Sequence, residues 1–317
     1  MRVVFAGTPD FAVPSLEVLL DSSLADLVAV YCQPDRPSGR GRTIRPGPVK
    51  STAAKAAVPV YQPEKINTPE AITQLKSLKP DLVVVVAYGA LLKKQHLEIP
   101  RLGCFNLHAS LLPRWRGAAP IQRAIEAGDT MSGVSLMRVV EELDAGPVLA
   151  QSEISLDKHV TGGWLHDQLS QMAANLLIQN LPALASGKLK EQTQNVSQAT
   201  YAKKLGREES WVDWADSAGQ IERQIRAFDP WPGCLFSIEG TALKILKAST
   251  TSHQESATPG QILQVGPEGI VVQSGQDAIR IEKVQKSGGK AMHVADYLNG
   301  HPVRTGIILD AVSQEKG

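Results

Sequence analysis

Cysteine is scarce in this sequence, which contains only Cys32, Cys104 and Cys234. The three residues are far apart, so their spacing predicts neither a metal-binding knuckle nor a redox pair. Each has apolar neighbours, which is typical of a small reduced side chain in a core. An odd and sparse set without a disulfide framework indicates a reducing compartment.

An excess of charge of one sign is also missing, because 33 basic and 32 acidic residues give a formal net charge of +1. Net charge therefore neither supports nor excludes a nucleic-acid partner, and any such signal must be local. The apolar run at residues 82–87 is far too short to span a bilayer. Residues 2–6 already have the pattern of a core strand, so we expect no targeting segment and a cytoplasmic, bacterial protein.

The fingerprints of several enzyme classes are absent. The turn after the first strand, Gly7-Thr8-Pro9, lacks the G-x-G-x-x-G of dinucleotide sites, and no P-loop lysine motif occurs. There is no serine nucleophile elbow. His159 and His166 have no metal-ligand spacing, so we expect no metal.

The length of 317 residues, 43% of them hydrophobic, fits two packed domains. In the first half, short apolar runs at residues 3–6, 27–31, 82–86 and 104–108 alternate with helical patterns at 14–20, 48–57 and 69–77. Strands that are apolar throughout are typical of a parallel sheet covered on both faces. We therefore predict an α/β fold whose first domain, residues 1–189, is doubly wound and Rossmann-like.

The second half has a different pattern. Residues 163–184 form the longest helical pattern, and the polar residues after it predict a linker at 190–206. The last domain, residues 207–317, has short β-runs at 234–238, 243–248, 261–265, 270–273 and 278–284. Five such strands predict a small, partly open, OB-like β-barrel. We also predict a helix at 217–228 and a long loop at 249–259.

The most informative stretch is residues 105–120, FNLHASLLPRWRGAAP. Asn106 and His108 alternate along the predicted strand, so their side chains share one face at its carboxyl end. An isolated Asn-x-His is more often a strand-end cap beside a satisfied polar residue, because short motifs recur by chance. The loop that follows can offer backbone groups to a ligand and favours a functional site.

A second element is EELDAGP, residues 141–147, in which Asp144 begins a tight turn. Aspartate in such a place usually serves the turn itself. Alone, this element would not predict a site.

A third element is RPSGRGRTIR, residues 36–45, which has four arginines and no acidic residue. Glycine and proline keep it irregular and exposed. It is either a solvated loop or a contact for phosphate or RNA, whose geometry arginine matches. The unbalanced sign in a nearly neutral chain favours the second interpretation.

Together these motifs resemble those of the methionyl-tRNA formyltransferase family of folate-dependent enzymes. The resemblance runs nearly end to end through FAGTPDF at 5–11, QPDRP at 33–37, residues 106–120, LDAG at 143–146 and IRAFDPWPG at 225–233. Asn-x-His-x-Ser-Leu-Leu-Pro with a downstream Asp-x-Gly is specific for folate-dependent formyl transfer and less specific for the acceptor. The arginine-rich loop and the Trp-Pro-Gly start of the barrel point to the tRNA enzymes.

The resemblance implies 10-formyltetrahydrofolate as donor and methionyl initiator tRNA as acceptor, for translation initiation. It implies that Asn106 and His108 stabilise a tetrahedral oxyanion and that His108 moves the proton. Asp144 is expected to accept from the other ring nitrogen of His108 or to order a bridging water. The folate is expected against Ser110, Leu111, Leu112, Pro113, Val86, Ala87, Tyr88 and Gly89.

The same resemblance implies that the loop after the second strand enters the tRNA acceptor stem. Arg42 is then the leading contact, and the cations around it are Arg36, Arg40 and Arg45. In the last domain, a separate cluster of cations contains Arg280, Lys283, Lys286 and Lys290. It forms either a stripe along the tRNA backbone or a solvated strand edge.

Three other functions compete with this interpretation. Formylation of a small amine, such as an amino-sugar nucleotide, leaves the arginine-rich loop unexplained. A catalytically silent folate or RNA binder would not need Asn106, His108 and Asp144. Folate hydrolysis gives no account of the barrel. We expect a monomer, since no long exposed apolar surface is apparent.

Overall fold

The computed structural model describes residues 1–38, 43–188, 190–252 and 257–309. In these residues the strands are β1 Arg2–Gly7, β2 Asp26–Tyr31, β3 Pro37–Ser38, β4 Thr43–Ile44, β5 Val60–Tyr61, β6 Leu82–Val86, β7 Gly103–His108, β8 Arg116–Gly117, β9 Met131–Arg138, β10 Val148–Ser155, β11 Tyr201–Ala202, β12 Cys234–Ile238, β13 Thr241–Thr251, β14 Ile262–Gly266, β15 Gly269–Gln273, β16 Ala278–Lys286 and β17 Ala291–His293. The α-helices are α1 Val13–Leu20, α2 Pro48–Lys55, α3 Pro69–Ser77, α4 Lys94–Leu97, α5 Pro120–Ala127, α6 Gly162–Ser186, α7 Ala218–Ala227 and α8 Val294–Gly300.

The chain divides into two compact units. The first unit comprises residues 1–120, 131–155 and 166–203, and the second comprises residues 121–130, 156–165 and 204–317. Among the described residues, no helix has the length and apolarity needed to cross a membrane.

The first unit is built on a seven-stranded sheet with the order β10-β9-β7-β6-β1-β2-β5. The strands from β7 to β5 are parallel, whereas β9 and β10 are antiparallel to their neighbours. Val3, Val4 and Phe5 of β1 are at most 1% exposed, as expected for a strand covered on both faces. The predicted parallel α/β sheet is confirmed, but its two antiparallel strands, β9 and β10, were not predicted.

The helices of this sheet follow from local sequence signals. At α3, the side chain of Thr68 accepts a hydrogen bond from Ala71 N at 3.3 Å, and Pro69 occupies the first turn. Both features favour a helix start. Ile72 and Leu75 place the apolar face of α3 in the core.

The parallel strands end side by side, which defines one edge of the sheet. Gly7 of β1 pairs with Val86 of β6, and Val85 of β6 pairs with Asn106 of β7. The carboxyl ends of such strands form the usual ligand crevice of an open α/β sheet.

The second unit contains an antiparallel sheet with the order β12-β13-β16-β15-β14, and β17 pairs with β16. All five predicted β-runs form strands, which confirms the small antiparallel domain. The prediction of a loop at 249–259 is wrong at its start, because β13 continues to Thr251 by pairing with β16. Residues 253–256 of that predicted loop lie outside the described residues. The predicted helix is α7, which begins with a capping box formed by Ser217 and Gln220.

Candidate active site

Asn106 and His108 lie on the same face of β7 at the carboxyl edge of the sheet. Asn106 is half-buried. Among the described residues, no group forms a hydrogen bond with its side-chain amide. Its N–H group therefore remains available to a ligand at this edge.

His108 is buried, and each ring nitrogen has a defined neighbour. Nε2 lies 2.8 Å from the carbonyl oxygen of Trp115, and Nδ1 lies 3.7 Å from Oδ2 of Asp144. A carbonyl oxygen only accepts, so Nε2 carries the hydrogen and, in the neutral ring, Nδ1 holds the lone pair. The tautomer is thus fixed by Trp115 O, whereas the sequence analysis expected a carboxylate in that role.

Asp144 lies in the turn between β9 and β10, with a positive φ of 49°. Its Oδ2 accepts a hydrogen bond of 2.9 Å from the backbone N–H of Gly117. That bond directs the carboxylate toward His108 Nδ1, where it can stabilise a protonated ring. The structure thus brings the three predicted catalytic residues to one place.

The loop after β7 is held by Ser110 and by Ser135, and the second of these was not predicted from the sequence. Ser110 Oγ donates to Arg114 O at 2.6 Å, and Ser135 Oγ donates to Ser110 O at 2.6 Å. Ser135 lies on the unpredicted strand β9. The Ser110 hydroxyl therefore stabilises its own loop.

The backbone of Leu112 is held by side chains from the antiparallel strands β9 and β10. Its N–H donates to Ser135 Oγ at 3.0 Å, and its carbonyl accepts from Gln151 Nε2 at 3.1 Å. Its side chain packs with Met137 and Val148. The backbone polar groups of Leu112 that were expected to face a folate are thus engaged within the protein.

The end of β6 contains the other residues predicted to line a folate pocket. Val86 and Tyr88 are buried, while Ala87 and Gly89 are exposed and have positive φ angles of 46° and 81°. Burial raises the pKa of Tyr88 to about 12, and its hydroxyl has no partner among the described residues. Within residues 86–89, only the small residues Ala87 and Gly89 are exposed.

Residues near position 200, in the polar run that follows α6, form hydrogen bonds with the loop after β7. Trp115 N donates to Thr200 Oγ1 at 2.9 Å, and Arg116 N donates to Thr200 O at 2.8 Å. The strand β11 then pairs in parallel with β8. The stretch that the sequence suggested as a linker is therefore hydrogen-bonded to the loop that carries the acceptor of His108.

The arginine-rich segment begins and ends on a short antiparallel ribbon, β3–β4. Arg36 and Arg45 flank the ribbon and are exposed, whereas Arg40 and Arg42 lie outside the described residues. Just before it, the Asp35 carboxylate is bound by Lys50 Nζ and by Gln62 Nε2. The Lys50 ammonium and the Gln62 amide lower the pKa of Asp35.

The three lysines predicted in the second unit lie on β16 and in the turn after it. Lys283 and Lys286 are three residues apart on β16, and the pairing of β16 with β13 is irregular on both sides of Lys283. Lys286 Nζ lies 2.6 Å from His301 Nε2, and Lys290 is exposed in the turn before β17. A contact of these lysines with the tRNA backbone stays a prediction.

Within the part of the chain that the structure describes, no group of three or more His, Cys, Asp or Glu residues is arranged to hold a metal ion.

Two family models match the chain. The model described as formyl transferase matches residues 1–181, and the model described as formyl transferase, C-terminal domain, matches residues 204–302. With the fold and the site at the end of β7, these matches define the class of the protein as a formyl transferase.

A closer relationship follows from a curated relative. The methionyl-tRNA formyltransferase of Pseudomonas entomophila strain L48 is 49% identical over 299 residues, which cover 94% of this chain and 96% of that protein. The chain therefore belongs to the methionyl-tRNA formyltransferase family. The family and enzyme class predicted from the sequence are confirmed.

Solved structures of low identity share the fold. An N-formyltransferase from Helicobacter canadensis, solved with folinic acid and dTDP-3-aminofucose, is similar with a TM-score of 0.64 and 20% identity, covering 89% of this chain and 99% of that one. A variant of HypX from Aquifex aeolicus has a TM-score of 0.59 and 18% identity, covering 96% of this chain. The match covers 48% of HypX, so this chain spans about half the length of that protein.

Proposed function

We propose that this chain transfers the formyl group of 10-formyltetrahydrofolate to the amino group of methionyl initiator tRNA, which prepares it for translation initiation. The observation that carries the proposal is the convergence of Asn106, His108 and Asp144 at the carboxyl end of β7. The 49% identical relative, named a methionyl-tRNA formyltransferase, supports the acceptor.

The chemistry requires an amine to attack the formyl carbon and a tetrahedral oxyanion to form. The unengaged amide N–H of Asn106 is suited to donate to that oxyanion, and such a donor contributes on the order of 10²–10³ in turnover.

His108 Nδ1 is the proton acceptor in this proposal, since Nε2 already donates to Trp115 O. As the new C–N bond forms, the amine loses a proton to Nδ1, and the nearby Asp144 carboxylate stabilises the charged ring. As the old C–N bond breaks, the proton passes to the departing folate nitrogen. No proton is gained or lost overall.

The binding assignments are part of the same proposal. We assign folate binding to the ends of β6 and β7, with Ala87, Gly89 and the 110–113 loop, and tRNA binding to the arginine-rich segment and the domain predicted at 207–317. The exposed side chains of Arg36 and Arg45 support the second assignment, because arginine binds phosphates well. We propose that the protein acts as a monomer.

A formyl-transfer assay tests the proposal. Labelled 10-formyltetrahydrofolate is supplied with methionyl initiator tRNA, methionyl elongator tRNA or an amino-sugar nucleotide. We expect label on the initiator tRNA. Label on the sugar, or formate released without transfer, would overturn the assignment of the acceptor.

A further inference from the structure

Arg116 is a buried cation next to the candidate site. It is 1% exposed, and its Nε and Nη2 atoms donate to a single oxygen, Oε1 of Gln194, at 3.1 and 2.8 Å. Among the described residues its Nη1 has no hydrogen-bond partner, and it lies 3.8 Å from Glu142, whose side chain is 73% exposed. A buried guanidinium with so few acceptors is costly, so Oε1 of Gln194 is the main compensation for the burial of Arg116.

Gln194 also forms hydrogen bonds with the turn that carries Asp144, so it connects that turn to Arg116. Its Nε2 donates to the carbonyl oxygens of Asp144 at 2.8 Å and of Gly146 at 2.7 Å. The Gln194 amide can adopt only this orientation, because its oxygen must face the guanidinium and its nitrogen must face two carbonyls. Both ends of the side chain are therefore fixed.

The turn needs such support. Asp144 has φ 49°, a conformation that costs an aspartate free energy and persists only where surrounding contacts maintain it. If the turn relaxed, the carboxylate would leave both Gly117 N and His108 Nδ1. The two hydrogen bonds from Gln194 hold the carbonyls on either side of Ala145, so they restrain the turn at the residue whose side chain faces His108.

We infer that Gln194, oriented by the buried Arg116, is a positioning residue for formyl transfer that sets the place of the Asp144 carboxylate. The inference rests on the proposed roles of His108 and Asp144. Gln194 lies in the polar run of the chain that leads from the first unit to the second, so that run contributes to catalysis and does more than connect.

The primary variant is Gln194→Glu. It keeps an acceptor for Arg116 and places an anionic oxygen against two carbonyl oxygens, which would push the turn away. We expect kcat to fall on the order of 10–100-fold, with KM for the folate unchanged. Gln194→Met removes the donors and the acceptor together, so kcat per folded molecule and thermal stability should both fall. Wild-type kcat in either variant would overturn the inference.

The matched control is Gln192→Glu, two residues away, because the Gln192 side chain is exposed. It makes the same change of charge and should leave kcat unchanged. An equal loss in this control would show that the added charge, and not the lost contacts, is responsible.

A double-mutant cycle separates positioning from a general structural effect. If Gln194 acts through Asp144, then Gln194→Glu should change kcat by less than about twofold in an Asp144→Asn background. Fully additive losses would contradict the inference. A failure of Asp144→Asn itself to lower kcat would instead contradict the proposed function.

Discussion

The imidazole of His108 donates from Nε2 to the carbonyl oxygen of Trp115, 2.8 Å away. Trp115 has φ 62°, so its backbone turns toward the strand end that carries His108. The bond leaves Nδ1, on the side of Asp144, as the ring nitrogen that can take up a proton.

This relationship predicts the tautomer of the resting enzyme. We expect the neutral ring of His108 to carry its hydrogen on Nε2, because a carbonyl oxygen can only accept. Long-range ¹H–¹⁵N spectra of histidine-labelled protein at alkaline pH measure this directly. The exposed His159 serves as a reference for a ring without a fixed partner. An Nδ1–H signal assigned to His108 would refute the proton route.

Asn106→Asp tests the predicted oxyanion donor. The substitution preserves shape but replaces an N–H donor by an anion that repels the developing negative charge. We expect kcat to fall on the order of 10²–10³-fold with KM for the folate unchanged, as measured by steady-state formyl transfer. Asn299→Asp, an exposed site on α8, makes the same chemical change and should retain full activity. If Asn106→Asp raised KM alone, Asn106 would be a binding group.

The sequence predicted the parallel strands and the Asn106–His108 pair because both depend on residues close together along the chain. An apolar run such as Leu82–Val86 predicts a strand from adjacent residues alone. The spacing of Asn106 and His108 determines that they share a face.

The missed features depend on residues far apart in sequence. The strand β9 contains Ser132, Gly133 and Ser135, which are residues typical of turns, so its pairing with β7 had no local signal. The contacts Ser135–Ser110 and Gln194–Asp144 span 25 and 50 positions. Polar composition near Gln194 predicted a linker, and it gave no signal that Gln194 is buried against Arg116.

Gly117→Ala tests the backbone that directs Asp144. Gly117 has φ 115°, and a Cβ there would lie 2.7 Å from the carbonyl oxygen of Ala202. We expect a loss of about 1–3 kcal/mol in the free energy of unfolding, measured by urea denaturation. Turnover should also fall, because the N–H that binds Asp144 moves. Gly266→Ala is the control, since no described residue apart from its chain neighbours lies within 4 Å of its added Cβ. Equal stability of the two variants would contradict this explanation.

The cysteines should be unreactive in the folded protein. Burial raises the pKa of Cys32 to about 11 and of Cys104 to about 12, and it also raises that of Cys234. A raised thiol pKa means less of the reactive thiolate at a given pH. We therefore expect negligible reaction with a disulfide reagent at mildly alkaline pH and reaction of all three thiols in denaturant. A native thiol that reacted as fast as in the denatured chain would refute the burial.

Lys50 and Asp35 form an ion pair next to the start of the arginine-rich segment. The ammonium of Lys50 lowers the pKa of Asp35 below its ordinary value of 3.8. The contribution of this ion pair to stability is therefore present above pH 3.8, and it is lost as the pH falls through the lower pKa that Asp35 has in the folded state. Lys50→Met should lower the thermal midpoint at neutral pH, and the difference from wild type should shrink as the pH falls below 3.8.

The same variant tests whether the segment binds tRNA. The ion pair between Lys50 and Asp35 acts as an anchor for the chain next to Arg36. Without this anchor the chain there is less restrained, so we expect KM for methionyl initiator tRNA to rise while kcat stays unchanged. Lys55→Met removes an equal charge from the exposed end of α2, which isolates the anchor from general electrostatics. If both variants raised KM equally, the anchor would have no specific role. If neither did, the arginine-rich segment would not be the tRNA contact, since a loosened base would then leave binding unaffected.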